Sequence, residues 1–250
     1  SLIALLIVCS LIIFEKFSRR KTKRWSENPA SLDSQGWVLK KHRAFFAILV
    51  SLFPPTFAIG VPCFWVLLNF DQLNKGLTTE LLSLTLKTIS FGLITSLIAV
   101  IFSLILSLAT RKNKNFFLKL ITFPAGIGYA IPGSVLAISL ITISSSRFTF
   151  ISVCLLIWGY VIRFLTISKG SIDSALERIS PTLDEAANGL GSNWLEIIRR
   201  IHLPLLKGPI FVGSLLVFVD TIKELPISFI YRPLDFDTLS VRIYQYAGDE

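Results

Sequence analysis

The stretch "DEAANGLGSNWLEIIRRIHLP", residues 184 to 204, is charged and tolerant of water, yet it stands in a chain that otherwise reads as one apolar run after another. Its local chemistry spells two short helices. Ser180 before Pro181 is a capping residue followed by proline at the first helical position, a good helix start. Thr182 with Glu185 offers a competing capping-box register. Acidic Asp184 and Glu185 in the first turn suit the helix dipole. Ala186 and Ala187 have almost no side chain, so a partner can approach closely, and Gly189 and Gly191 end the helix. A second helix is expected from a Ser192 cap, with Trp194, Leu195, Ile197, Ile198 and Ile201 on one face and Glu196, Arg199 and Arg200 on the other. Pro204 is expected to stop it. Two short helices joined by a glycine bend, with a small-residue surface turned outward, make a docking element.

Outward from this hairpin the chain is membrane-like. Only 16% of its 250 residues are charged and 52% are hydrophobic, against about 25% charged in a soluble domain, and the mean hydropathy is +0.67. Runs from Ala44 to Phe70, Ser83 to Ala109, Leu118 to Ile143, Phe148 to Ser168 and Pro209 to Ile230 approach or exceed the ~20 residues that cross a bilayer. Residues 1 to 14 are apolar but shorter; with no Met in the chain, they read as the end of a preceding span. Basic residues follow that run rather than precede it, against the order of a signal peptide.

The net charge of +9 lies mostly in "EKFSRRKTKRW", "KKHR" and "RKNKN". These flank spans, the positive-inside pattern rather than a nucleic-acid patch. The pattern sets an orientation. Residues 15 to 43 form a basic cytoplasmic linker, 71 to 82 lie outside, "RKNKN" lies inside, "SSSR" turns outside, and residues 169 to 208 return to the cytoplasm. The last span leaves residues 231 to 250 outside. The membrane domain is then expected at 44–250, incomplete at its C-terminus. Cys9, Cys63 and Cys154 are isolated in apolar runs, so neither disulfides nor zinc is expected.

Several spans carry helix punctuation. "FPP" at residues 53–55 and "FPAGIGYAIPG" at 123–133 are either kinks or broken helices lining a pathway, since freed backbone groups need a neighbour or a polar cavity. Ser103 and Ser107 suit close helix packing. Asp220, Lys223 and Glu224 fall near the middle of the last apolar run, where each charge costs about 2.5–3.5 kcal/mol. Asp220 and Lys223 are close enough to pair. That leaves one acidic group uncompensated. The triplet is either a structural cluster beside a break at Pro226 or part of a translocation path for a cation.

Glu185-Ala186-Ala187, three residues, Gly191, nine residues, Ile201, one residue, Leu203-Pro204 resembles, without a mismatch, the EAA loop of binding-protein-dependent ABC transporter permeases. That resemblance implies an all-α, polytopic, MetI-like transmembrane domain in a bacterial inner membrane. It further implies that this loop docks in a groove of a cytoplasmic ATPase dimer, that Glu185 pairs with a basic group there, and that a periplasmic substrate-binding protein delivers cargo. "YAIPGSVLAI" at 129–138 and "KELP" followed by "RPLDFDTLSVRIYQYAGDE" at 223–226 and 232–250 are similar to the ferric-iron members, in which two halves are often fused. Thiamine, sulfate, polyamine or phosphonate carriers are the nearest alternatives. A secondary carrier, a channel or a simple membrane anchor leaves the loop spacing unexplained. No GxxxxGK[ST] stretch occurs, so ATP and Mg are expected on a separate ATPase, with no cofactor, metal or catalytic residue on this chain and no nucleic-acid partner. The two histidines, His42 and His202, are assigned no function.

Overall fold

A computed structural model describes residues 41–70, 79–113, 115–144, 149–232 and 236–249. The first span expected at 1–14, the linker up to residue 40, the outer loop at 71–78 and the turn at 145–148 lie outside the described residues. Two compact units separate. In one, α1 (Lys41–Leu68) is a 28-residue apolar helix with no buried residue. It begins at Lys41, inside the stretch expected to be linker. The Pro54–Pro55 pair does not break it. A π turn at Thr56–Gly60 follows directly, and a wider turn of this kind accommodates local mismatches in hydrogen bonding.

The second unit holds the remaining helices. α2 (Thr79–Lys112) enters it from Leu84 onward. α3 (Phe116–Ala125), α4 (Gly133–Ile143) and α5 (Thr149–Leu176) follow. α6 (Pro181–Gly189) precedes α7 (Trp194–Ile222), and the short α8 (Pro226–Ile230) and α9 (Leu239–Asp249) complete it.

Small residues let α2, α5 and α7 approach. Ser103 on α2 hydrogen-bonds Ser168 on α5. A Cβ on Gly213 of α7 would stand 3.3 Å from the Ser168 Cα. The Ser171 hydroxyl donates to the Pro209 carbonyl at 2.9 Å. With apolar lipid outside, close packing and interhelical hydrogen bonds hold helices together where hydrophobic burial cannot. Two apolar clusters flank this seam. Leu108, Ile172, Leu176, Ile179 and Leu206 form one; Phe91, Ala137, Leu156, Tyr160, Phe164, Val217 and Ile227 belong to the other.

These clusters orient the chain. α2 and α5 end beside each other at Arg111, which donates to the Leu176 and Ile179 carbonyls. α7 leaves the same end, with Leu206 in the first cluster, and reaches the other end with Val217 in the second. α9 begins at that far end, where the Leu239 N–H donates to Thr88 Oγ1 at 2.9 Å. Thr88 precedes Arg111 by 23 residues, about 35 Å of helix at 1.5 Å per residue.

The pair α3–α4 decides between kink and break. Its two helices meet at 116°, so this is a break. Its contacts climb α5: Thr166 Oγ1 donates to the Ala125 carbonyl, Gly128 abuts Ile162, Arg163 reaches the Ile131 carbonyl, and Leu140 fills the place where Gly159 has no side chain. The broken pair therefore packs along the Gly159–Thr166 stretch of α5. A Cβ on Gly128 would lie 2.0 Å from the Ile162 carbonyl oxygen, so only glycine permits this backbone approach.

Candidate functional site

Two regions concentrate polar chemistry, one at each side of the seam. The hairpin comes first. Ser180 caps α6, its hydroxyl accepting the Thr182 N–H at 3.3 Å, so the Ser180–Pro181 register wins over the Thr182–Glu185 box. At the other end the Ser192 N–H reaches the Ala187 carbonyl and the Gly191 N–H reaches that of Asn188, both at 3.0 Å. This is a Schellman closure, which needs a left-handed residue at its turn. Gly191 supplies it at φ 86°.

The second helix corrects the sequence reading in three places. Its cap is Asn193, not Ser192: the Asn193 side chain accepts the Glu196 N–H at 2.9 Å while Glu196 Oε2 accepts the Asn193 N–H at 3.1 Å. Ser192 is already spent closing α6. Leu195 does not share the buried face; it is 74% exposed while Ile197 is 1% exposed. Nor does Pro204 stop the helix. A π turn over Ile198–His202, in which the Leu203 N–H bonds the Ile198 carbonyl, adds the extra residue that lets the proline ring pass its preceding turn. The helix runs unbroken from Trp194 to Ile222.

Outward from the hairpin, Glu185 and Ala186 are exposed, with Leu183, Leu190 and Leu195 around them. Ala187 is turned inward and buried, so only Ala186 of the alanine pair presents a small outer surface. Gly191, Leu203 and Pro204 are exposed and Ile201 is half-buried.

The inner side of the hairpin is held by charge. Asp184 Oδ2 accepts from Arg111 Nε at 2.7 Å, and Asp184 Oδ1 lies 3.1 Å from Nε2 of His202, which is fully buried against the Trp194 ring. Lys112 Nζ stands over the same Trp194 ring, 5.7 Å from its centroid. Sequence reading took Arg111 only as a topology signal and gave His202 no role. Nothing local in the sequence betrays either, because their partner is 73 residues away for Arg111.

The second region lies where two breaks meet. α7 ends at Ile222, and Lys223–Leu225 separate it from α8. Asp220, Lys223 and Glu224 therefore sit at a helix end, not within a span's middle. Lys223 Nζ pairs with Asp220 Oδ1 at 2.6 Å. Glu224 is not left uncompensated: its Oε1 lies 3.6 Å from Arg163 Nη1. Arg163, unweighed in the sequence, is the one Lys or Arg inside the apolar run 148–168, a signal of function by itself. Its guanidinium also reaches the Ile131 carbonyl at 3.4 Å and the Tyr129 ring at 5.8 Å.

Gly133 makes the meeting possible. A Cβ there would stand 2.4 Å from Arg163 Nη1 and 2.7 Å from Glu224 Oε1. The Glu224 carbonyl is bonded by two hydroxyls, Ser228 at 3.1 Å and Ser240 at 2.9 Å, and Ser228 also meets the Tyr160 hydroxyl. Arg163 Nε and Glu224 Oε1 have no hydrogen-bond partner among the described residues. Such an under-satisfied charge pair stabilises little relative to its burial. No group of three or more His, Cys, Asp and Glu arranged for a metal occurs among the described residues.

Comparison with known proteins places these geometries in context. The family described as "binding-protein-dependent transport system inner membrane component" matches residues 99–231, which include α3 to α8, both breaks and the whole hairpin. A curated relative, the "Fe(3+)-transport system permease protein FbpB 2" of Haemophilus influenzae, is 24% identical over 98% of this chain. The chain spans about half of that relative's length, 50%.

Proposed function

The chain belongs to the family of binding-protein-dependent transport system inner membrane components, and from that premise we propose that it is a permease unit of an ATP-driven ferric-iron importer. The membership makes it a transporter subunit rather than an enzyme. The cargo reading rests on the relative named for Fe(3+) transport, similar along nearly the whole chain.

The observation that carries the mechanism is the exposed hairpin on a rigid base. Glu185, Ala186 and Gly191 would face a cytoplasmic ATPase dimer, with Leu183, Leu190 and Leu195 supplying apolar contact. ATP and Mg belong to that partner. A periplasmic binding protein would hand over the cargo on the opposite side, and hairpin movement would switch the spans between inward and outward access. Asp220, Lys223 and Glu224, joined by Arg163, would line the path. Carboxylate oxygens are the ligand type a hard cation takes, here each paired with Lys223 or Arg163, and irregular backbone inside a membrane is tolerated where it is buried in protein or lines a polar cavity.

The test is radiolabelled ferric uptake in cells carrying the complete transporter, beside a Glu185→Lys/Gly191→Pro double variant at matched expression. Uptake present in the wild type and lost in the variant is the expected result. No ferric uptake by an assembled wild-type complex, with ATPase and loaded binding protein present, would overturn the iron reading and leave the family membership intact.

A further inference from the structure

Between α5 and the hairpin lie only Glu177–Ser180, a short irregular link. Left alone, that link is a swivel: α6 could turn on it with α7, which continues the hairpin, without moving α2 or α5. Ile179 of the link packs in the apolar cluster with Leu108 and Leu206, and one side chain from α2 spans the link with hydrogen bonds. Arg111, near the end of α2, sends Nη1 to the Leu176 carbonyl at 2.8 Å and the Ile179 carbonyl at 3.2 Å. Its Nη2 reaches the carbonyls of Ile179 at 3.2 Å and Ser180 at 3.3 Å, and Nε reaches Asp184 at 2.7 Å. One guanidinium thus bonds the end of α5, the link and the first turn of α6 at once. Only arginine presents five donors in a fixed planar fork.

Neither charge is well solvated, the Arg111 and Asp184 side chains being 13% and 15% exposed. The second Asp184 oxygen lies 3.1 Å from Nε2 of buried His202 on α7, so the same carboxylate stands between α2 and the partner helix of α6. The cluster also answers an ordinary need, since the last carbonyls of a helix lack partners within it.

We propose that Arg111 is a positioning residue for transport, the joint through which movement of the hairpin reaches α2. This rests on the docking role given to the hairpin above, and not on the cargo. With Arg111 intact, a push on α6 turns the ends of α2 and α5 together. Without it, the push is absorbed at Glu177–Ser180. Lysine keeps the charge but, as a point donor on a flexible stem, cannot hold three carbonyls and a carboxylate in one plane.

Hydrogen–deuterium exchange on the complete transporter, reconstituted with its ATPase, tests this without reference to cargo. Wild type, Arg111→Lys and the shape-preserving Asp184→Asn are compared nucleotide-free and trapped with ATP and vanadate. Peptides covering 181–202 are expected to gain protection on trapping in all three. Those covering 104–113 are expected to change in the wild type and to lose about tenfold of that response in Arg111→Lys, within the range of ordinary coupling factors. An equal response of 104–113 in Arg111→Lys and wild type would overturn the proposal. So would loss of hairpin protection in Arg111→Lys, which would make the residue part of docking rather than transmission. Absence of hairpin protection in the wild type would instead refute docking itself, and the joint with it. Absent ferric uptake would touch neither.

Discussion

Gly133 and Gly170 look alike in the sequence, each inside or beside an apolar run, and the structure gives them opposite roles. A Cβ on Gly133 would collide with Arg163 and Glu224, while one on Gly170 of α5 would meet nothing within 4 Å. Gly133→Ala is therefore expected to destabilise by about 1–3 kcal/mol, the usual cost of overpacking. Gly170→Ala should stabilise by up to about 1 kcal/mol through helix propensity. Thermal denaturation of the purified protein in detergent reads both; a Tm that falls for Gly170→Ala and holds for Gly133→Ala would contradict the packing described. Arg163 and Glu224 make a related case. Removing one member of a buried pair strands the other, at about 3–5 kcal/mol, whereas replacing both with apolar residues is often tolerated. Arg163→Leu should thus lower Tm more than Arg163→Leu/Glu224→Leu, and the double variant should still fail to transport. Equal Tm losses for the single and double variants would show that Glu224 is not left stranded when Arg163 is removed, against the pairing described.

At the scale of elements, the hairpin shows what sequence can and cannot reveal. Its existence was legible: Ser180–Pro181 gives a start and Gly191 a bend, each by backbone chemistry within a few residues. The second cap was missed by one position because Ser192 is a fair cap in isolation, and its engagement in closing α6 is visible only once both helices exist. Pro204 was misread because a wide turn rescues it, and nothing in "IRRIH" announces a π turn. The alanine pair was read as one surface, although adjacent helical residues point about 100° apart. Exposed Ala186 and buried Ala187 should therefore answer differently to bulk. Ala186→Trp is expected to leave the fold intact and cut uptake by about tenfold or more, the effect of some 1.4 kcal/mol of lost docking. Ala187→Trp should instead lower the yield of folded protein. Uptake with Ala186→Trp at the wild-type level, alongside normal ATPase stimulation, would remove that face from docking.

For the whole molecule, the apolar runs gave the spans, and basic residues gave a consistent orientation to the ends that the structure brings together at Arg111. What the sequence could not supply were long-range pairs. Arg163 meets Glu224 across 61 residues of chain, so Glu224 was taken as uncompensated when its partner lay in another span. The ferric-path reading makes a prediction at this scale. Asp220→Asn and Glu224→Gln preserve shape and remove charge, so each should reduce ferric uptake in a stably assembled complex by about tenfold or more, again some 1.4 kcal/mol. Normal uptake by both would exclude these carboxylates from the path.

The unbroken run of α7 has a geometric consequence. Its 29 residues extend about 43 Å at 1.5 Å per residue, from the exposed turn at Trp194 to the charge cluster after Ile222. Such a rod behaves as a lever. A tilt of about 5° at one end sweeps the other through some 3–4 Å, over half of the 5.4 Å pitch of one helical turn. A force applied at the Trp194 end would then arrive at the distant break as an angle, with no need for any local rearrangement to travel residue by residue through the span.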